Sequence, residues 1–186
     1  GLPNQTLTGW RGTLENVLRL KPEHMSCYAL KVEPNTPLWE YRDCANLPND
    51  DVQADMYLAA SEILQDHGYE HYEISNFARN GKYSRHNTSY WQQKSYIGFG
   101  PSAHSYDLHS RQWNTANLKT YIDHLNEGTL SFEKEELKPV DLYNEYVMTS
   151  LRTMWGIDKL DADKKFGKFW REVGMSLQKY LDSGDL

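Results

Sequence analysis

Apolar positions recur along this chain with two different periods, and the switches between them predict its elements. Leu7, Trp10, Leu14, Val17 and Leu18 fall on one helical face, with Thr6 placed to cap the first turn and Pro22 ending the run. Tyr28, Leu30 and Val32 then alternate with polar neighbours, which predicts a strand closed by the turn residues Pro34-Asn35-Thr36-Pro37. Val52, Met56, Ala59 and Ile63 return to the helical period. Asp50 and Gln53 have capping-box spacing before them, and Gly68 has the place just past the end. Helix, strand and helix in this order predict α/β units around a parallel sheet over residues 1–68.

From 69 to 115 the periodicity fades and the composition turns to Tyr, His, Asn, Ser and Gly. Short strands at most are expected there, on a loop-rich segment of the kind that carries binding sites. The helical period resumes with Leu118, Tyr121, Ile122 and Leu125 before Gly128. It continues with Val140, Tyr143, Val147, Leu151 and Met154 before Gly156, and then with Phe166, Phe169, Val173, Leu177 and Leu181. Residues 116–186 thus read as a small, mainly helical domain, with more structure expected beyond Leu186.

Composition narrows the function classes. The 186 residues are 39% hydrophobic and 25% charged, as in an ordinary globular protein. A net charge of -6 with scattered basic residues argues against a nucleic-acid partner. No apolar run approaches the ~20 residues of a membrane span, and the first residues lack the pattern of a signal peptide. Cys27 and Cys44 are 17 positions apart. They form no Cys-x-x-Cys motif and fit a reducing compartment, read here as the cytoplasm.

Candidate chemistry gathers in the middle. Six of the 13 tyrosines lie between residues 69 and 106, with two arginines and three histidines. Aromatic faces and cationic or hydrogen-bonding groups at this density suit a flat, anionic, conjugated ligand. Gly98-Phe99-Gly100-x-x-Ala103 imitates a dinucleotide fingerprint, but Pro101 lies inside it and no βαβ context surrounds it. Its glycines permit either a tight turn or a close approach to a ligand. His71, His86, His104 and His109 lack metal-ligand spacing, so no metal site is expected. Asp158, Asp161 and Asp163 read as a solvated turn. Arg85 beside His86 and Asn87 offers a planar fork for carboxylates or a solvated loop position.

Several segments resemble the oxygen-independent coproporphyrinogen III oxidase family, in particular its branch of haem chaperones. They are Gly1-Leu2-Pro3-x-Gln5-Thr6, Leu20-Lys21-Pro22-x-His24-Met25-Ser26-x-Tyr28-x-Leu30 and Val32-Glu33-Pro34-x-Thr36-Pro37-Leu38. The most specific are Tyr72-Glu73-Ile74-Ser75-Asn76-Phe77-Ala78, Arg85-His86-Asn87 and Gly98-x-Gly100-x-x-Ala103-His104. Asn4 stands where this family commonly has Gly, Asn80 where it commonly has Pro, and Pro101-Ser102 replaces a smaller pair.

The resemblance implies an α/β fold. It would be the C-terminal part of a radical S-adenosylmethionine (SAM) barrel, followed by the helical domain. Residues 1–68 would be late barrel elements, 69–115 a connecting region lining the site, and 116–186 the helical domain. It further implies S-adenosylmethionine and a [4Fe–4S] cluster in the intact protein. The cluster cysteines, a Cys-x-x-x-Cys-x-x-Cys triplet, are absent from this chain. Gln5, Tyr28, Glu33, Gly98, Gly100 and His104 would face the cofactor. Arg85, His86, Asn87, Tyr90 and Trp91 would face a tetrapyrrole, haem or porphyrinogen; no catalytic residue is assigned.

Three functions stay open at this point. They are haem binding and delivery to acceptor proteins, decarboxylation of coproporphyrinogen III, and a stand-alone aromatic-rich binding module without redox chemistry. A partial barrel would leave apolar surface and a sheet edge uncovered, so self-association is expected.

Overall fold

The computed structural model describes residues 1–184, without the side chains of Ser176, Leu177, Lys179 and Leu181. Leu177 and Leu181 of the third predicted helical face therefore lie outside the described residues, as do Asp185 and Leu186. The chain forms two compact units, Gly1–Ser84 and Arg85–Leu186.

The first unit contains α1 (Leu7–Arg19), β1 (His24–Ser26), α2 (Pro37–Glu40), α3 (Asp50–Asp66), β2 (Glu70–Glu73) and β3 (Asn76–Ala78). Thr6 caps α1 as expected, its hydroxyl accepting from the Gly9 N–H at 3.1 Å. The α3 cap is Asn49, one residue earlier than predicted. Its Oδ1 accepts from Val52 N–H at 2.9 Å, so Asp50 falls in the first turn, where a carboxylate suits the helix dipole.

Helices α1 and α3 pack together over the sheet. Leu14, Met25, Ala60, Leu64, Tyr69 and Phe77 form the core, with Trp10 and Ile63 against it. The Trp10 indole N–H donates to Met56 O at 2.8 Å, tying the two helices.

The strand predicted at Tyr28–Val32 is displaced. β1 ends at Ser26 because its partner β3 is only three residues long; Cys27 N–H makes one further bond, to Ser75 O at 2.8 Å. Residues 28–33 then run without regular structure. Nor are neighbouring strands parallel. The order is β1-β3-β2, antiparallel throughout, because Ile74-Ser75 turns β2 straight back into β3 and the hairpin places β3 in the middle.

The second unit contains α4 (Arg85–Trp91), β4 (His104–Tyr106), β5 (Ser110–Asn114), α5 (Leu118–Asn126), β6 (Phe132–Glu136), α6 (Pro139–Leu151) and α7 (Lys159–Ser183). The tail is helical at α5, α6 and α7, but β6 joins it. The run Glu133-Lys134-Glu135-Glu136 carries no apolar alternation because both its faces are exposed. β6 is recruited by backbone pairing with β5. Helix α4 also lies in a segment where only short strands were expected. It packs against α6.

Two family departures have a backbone explanation. Asn4 has φ +60° and Asn80 has φ +52°, the left-handed region that asparagine tolerates; Ser102 shares that region at φ +58°, and nothing in the structure explains a serine there.

Candidate functional site

The most specific of the resembling motifs is buried. Tyr72, Glu73, Asn76, Phe77 and Ala78 are all in the interior. The Glu73 carboxylate accepts from Ser75 N–H at 3.1 Å and from the Asn76 amide. Asn76 Oδ1 accepts in turn from the Ser26 hydroxyl at 2.6 Å. A buried carboxylate survives when its oxygens are hydrogen-bonded in this way. This motif fixes the β2–β3 hairpin and its join to β1. His71 belongs to the same packing: its ring stacks on Phe77 at 4.1 Å, and its nitrogens meet Ser61 Oγ and Ile74 O.

A cavity of about 480 Å³ opens in the first unit, lined by Gln5, Trp10, Cys27, Tyr28, Lys31 and Phe77 among others. That volume is in the range of small-molecule sites. Gln5 is oriented by its Oε1, which accepts from Leu2 N–H at 2.9 Å. Lys31 brings a cation to the rim, and Glu33 lies outside the lining, paired with Lys31 at 2.7 Å. The carboxylate raises the Lys31 pKa by hydrogen bonding and by its charge. Burial pushes the Cys27 thiol up, which keeps it protonated and unreactive. Trp10 was legible only as a position on an apolar helix face, and Phe77 only as part of a motif; neither pattern shows that the residue lines a cavity.

The other predicted residues lie in the second unit. On α4, Arg85 and His86 are exposed, and Asn87, Tyr90 and Trp91 are half-buried. The Tyr90 hydroxyl meets His86 Nε2 at 3.1 Å, with the rings edge-on at 4.9 Å. Trp91 turns inward. Its indole N–H is buried without a hydrogen-bond partner among the described residues, and the Arg152 guanidinium lies 4.7 Å over its ring.

Gly98 and Gly100 belong to the loop entering β4, and His104 is the first residue of that strand. A Cβ at Gly98 would stand 2.2 Å from His104 O, so the glycine allows close passage of backbone over backbone. Gly98 N–H donates to Ser105 Oγ at 3.0 Å, Gly100 N–H to the Tyr121 hydroxyl at 3.2 Å, and the Asn114 amide to Gly100 O at 3.0 Å. These polar groups are used inside the loop, and Ser105, Asn114 and Tyr121 are the supports that sequence reading missed. His104 is exposed, its ring stacked on Trp113 at 5.8 Å.

Among the described residues no group of three His, Cys, Asp or Glu side chains is placed to hold a metal ion. Cys27 and Cys44 are both free. The residues present therefore do not fit a [4Fe–4S] cluster, which takes its irons through several thiolates.

The chain is 34% identical over 171 residues to the heme chaperone HemW of Bacillus subtilis, covering 90% of this chain and 45% of that protein. It is 36% identical over 163 residues to the heme chaperone HemW of Synechocystis, covering 84% of this chain and 39% of that one. Over most of its length the chain is thus similar to heme chaperones HemW. A further relative is the mitochondrial radical S-adenosyl methionine domain-containing protein 1 of Danio rerio, 42% identical over 105 residues, or 55% of this chain and 24% of that protein.

The fold is similar to part of a solved radical SAM enzyme. The solved coproporphyrinogen III oxidase HemN of Escherichia coli superposes with a TM-score of 0.72 over 90% of this chain and 42% of that one, at 22% identity. No family model matches the chain. The chain spans less than half the length of these HemW relatives, 45% and 39%.

Proposed function

We propose that this chain contributes to a radical S-adenosylmethionine protein that binds haem and hands it to acceptor proteins. The observation that carries the reading is α4. It presents Arg85 and His86 to solvent with Tyr90 one turn on, so a guanidinium fork, an imidazole and an aromatic edge stand on one short helix. A haem offers the complements to all three: propionates, an iron that histidine ligates, and a flat conjugated face. Asn87 and Trp91 belong to the same helix, and Trp91 serves it by anchoring α4 beneath Arg152.

The cavity of the first unit is the proposed seat for S-adenosylmethionine. Gln5 and Tyr28 are in its lining, while Glu33 acts through Lys31. The cofactor is the source of radical chemistry when bound; this chain's residues would bind and orient it. Gly98, Gly100 and His104 belong to the second unit, where Ser105, Asn114 and Tyr121 hold the glycine loop in shape. The cluster has no seat on these residues. Two free thiols suit a reducing compartment such as the cytoplasm. The likeness to coproporphyrinogen III oxidase is one of fold and adds no decarboxylase argument.

A haem titration followed by absorbance tests the reading on the parent chain and Arg85→Ala, with melting curves of both. Loss of a charge-assisted hydrogen bond costs about 1.5–3 kcal/mol, so affinity should fall roughly tenfold to a hundredfold with the melting temperature kept. Unchanged affinity with a lowered melting temperature would give Arg85 a purely structural role.

A further inference from the structure

One part of the cavity wall in the first unit is held firmly and another is not. Ala60 and Phe77 line it from the hydrophobic core, and Trp10 packs against that core. Residues 28–31 supply a different part of the lining. They open a segment, 28–47, in which no residue is buried and the one helix is the four-residue α2.

The segment is pinned just outside its ends. Cys27 N–H bonds Ser75 O at 2.8 Å, and Pro48 O accepts from the Gln53 amide at 3.1 Å. Between those points its bonds turn in on itself. Lys31 pairs with Glu33 at 2.7 Å, the Thr36 hydroxyl donates to Glu33 O at 2.7 Å, and the Cys44 thiol donates to Tyr41 O at 3.2 Å. Among the described residues, its hydrogen bonds to the rest of the chain are both made by Asn46. Asn46 O accepts from Asn4 N–H at 3.0 Å, and the Asn46 amide donates to Asn4 Oδ1 at 2.8 Å. Asn4 lies in the other irregular stretch of the wall, beside Leu2 and Gln5.

A surface loop held by its ends needs no special account. This one walls a cavity, and its fastening is a specific pair. Asn4 and Asn46 are both exposed, and both hold left-handed backbone, at φ +60° and +44°. Glycines would fit that backbone at least as well and would leave the side-chain bond unmade. We propose that residues 28–47 form a strap that lifts to admit a small molecule to the cavity, with the Asn4–Asn46 pair as its latch. The inference rests on the reading of that cavity as a ligand site and adds how the ligand enters.

Local opening is drawn from segments with little burial and few bonds to the rest of the fold. The strap has no residue to pull from the core, so it lifts while Trp10, Ala60 and Phe77 stay packed. A seated ligand touches residues 28–31 and thereby favours the closed strap.

Cys27 reports the opening. Its backbone is fixed to Ser75, it lines the cavity half-buried, and burial pushes its thiol up, so a thiol reagent reacts with it when the strap lifts. In a chain carrying Cys44→Ser it is the remaining thiol. The measurement is its rate of labelling by dithiobis-nitrobenzoate, with no ligand added, beside a melting curve. Asn4→Gly keeps the backbone conformation and removes the acceptor. Loss of one neutral hydrogen bond should raise the rate about twofold to tenfold with the melt unchanged. Asn4→Asp keeps the acceptor and should label at the parent rate. A disulfide between Asn4→Cys and Asn46→Cys should hold the rate below the parent's, and decides alone if Asn4→Gly lowers the melt. Because no ligand takes part, failure of S-adenosylmethionine to bind would count against the proposed occupant and not against the strap. Asn4→Gly labelled at the parent rate with its melt unchanged, or a bridged chain labelled as fast as the parent, overturns the strap.

Discussion

Gly98 has no room for a side chain, because an added Cβ would meet backbone rather than a flexible side-chain end. Gly98→Ala should therefore force the loop and β4 apart and cost about 1–3 kcal/mol, read as a lowered melting temperature. The sequence left Gly98 poised between a tight turn and a ligand contact. What decides for close passage is the His104 carbonyl, six residues away and invisible to local patterning. Thr6 was legible because its partner lies within one turn. His24 is a second residue-scale case. Its ring bonds the Tyr72 hydroxyl at 2.8 Å, and burial lowers its pKa. The unfolded chain then binds more protons than the folded one as pH falls through the imidazole range. Stability from this site should be full above pH ~6.5 and decline below it. A pH series of melts on the parent and His24→Gln checks this, the substitution flattening the decline.

At the scale of elements, the long helices were legible, whereas the short α2 and α4 and the exact places of the strands were not. Helix faces repeat within one segment, so α1, α3, α5 and α6 follow from apolar spacing. The strands depend on partners elsewhere. β1 stops where β3 runs out, and β6 is exposed on both faces with no alternation to see. The β4–β5 connection is held by Asp107. Its carboxylate accepts from the His109 and Ser110 N–H groups at 2.9 and 2.6 Å and from the Ser110 hydroxyl at 2.8 Å. These bonds hold its pKa at about 2. A depressed carboxylate contributes stability above its unfolded pKa and loses it as pH falls to the folded value. The turn should loosen between pH ~4 and about 2. Asp107→Asn should lower the melting temperature at neutral pH and remove that part of the acid transition. In the first unit, Leu64 on α3 is fully buried, and Leu64→Ala should cost about 2–5 kcal/mol in a denaturant melt.

On the scale of the whole molecule, the sequence supplied the chemistry and the structure redistributed it. The Tyr-Glu-Ile-Ser-Asn-Phe-Ala motif, dense in polar and aromatic groups, reads as a site and proves to be core, because Glu73, Asn76 and Ser26 satisfy one another. Gln5 and Tyr28 do reach a cavity, and Arg85 and His86 do reach solvent. Surface chemistry also predicts association. Phe99, Ile97 and Leu160 are 89%, 75% and 85% exposed, and β1 and β2 are both sheet edges. Light scattering should show mass rising with concentration; a strict monomer across the range would contradict this. The most direct measurement of the central claim is the absorbance spectrum of the haem-loaded chain beside that of His86→Ala. A spectrum of histidine-ligated haem that is lost in His86→Ala, with the melting curve kept, is the predicted result. The same spectrum and affinity in both chains, or no haem bound by the parent, would contradict haem binding at α4.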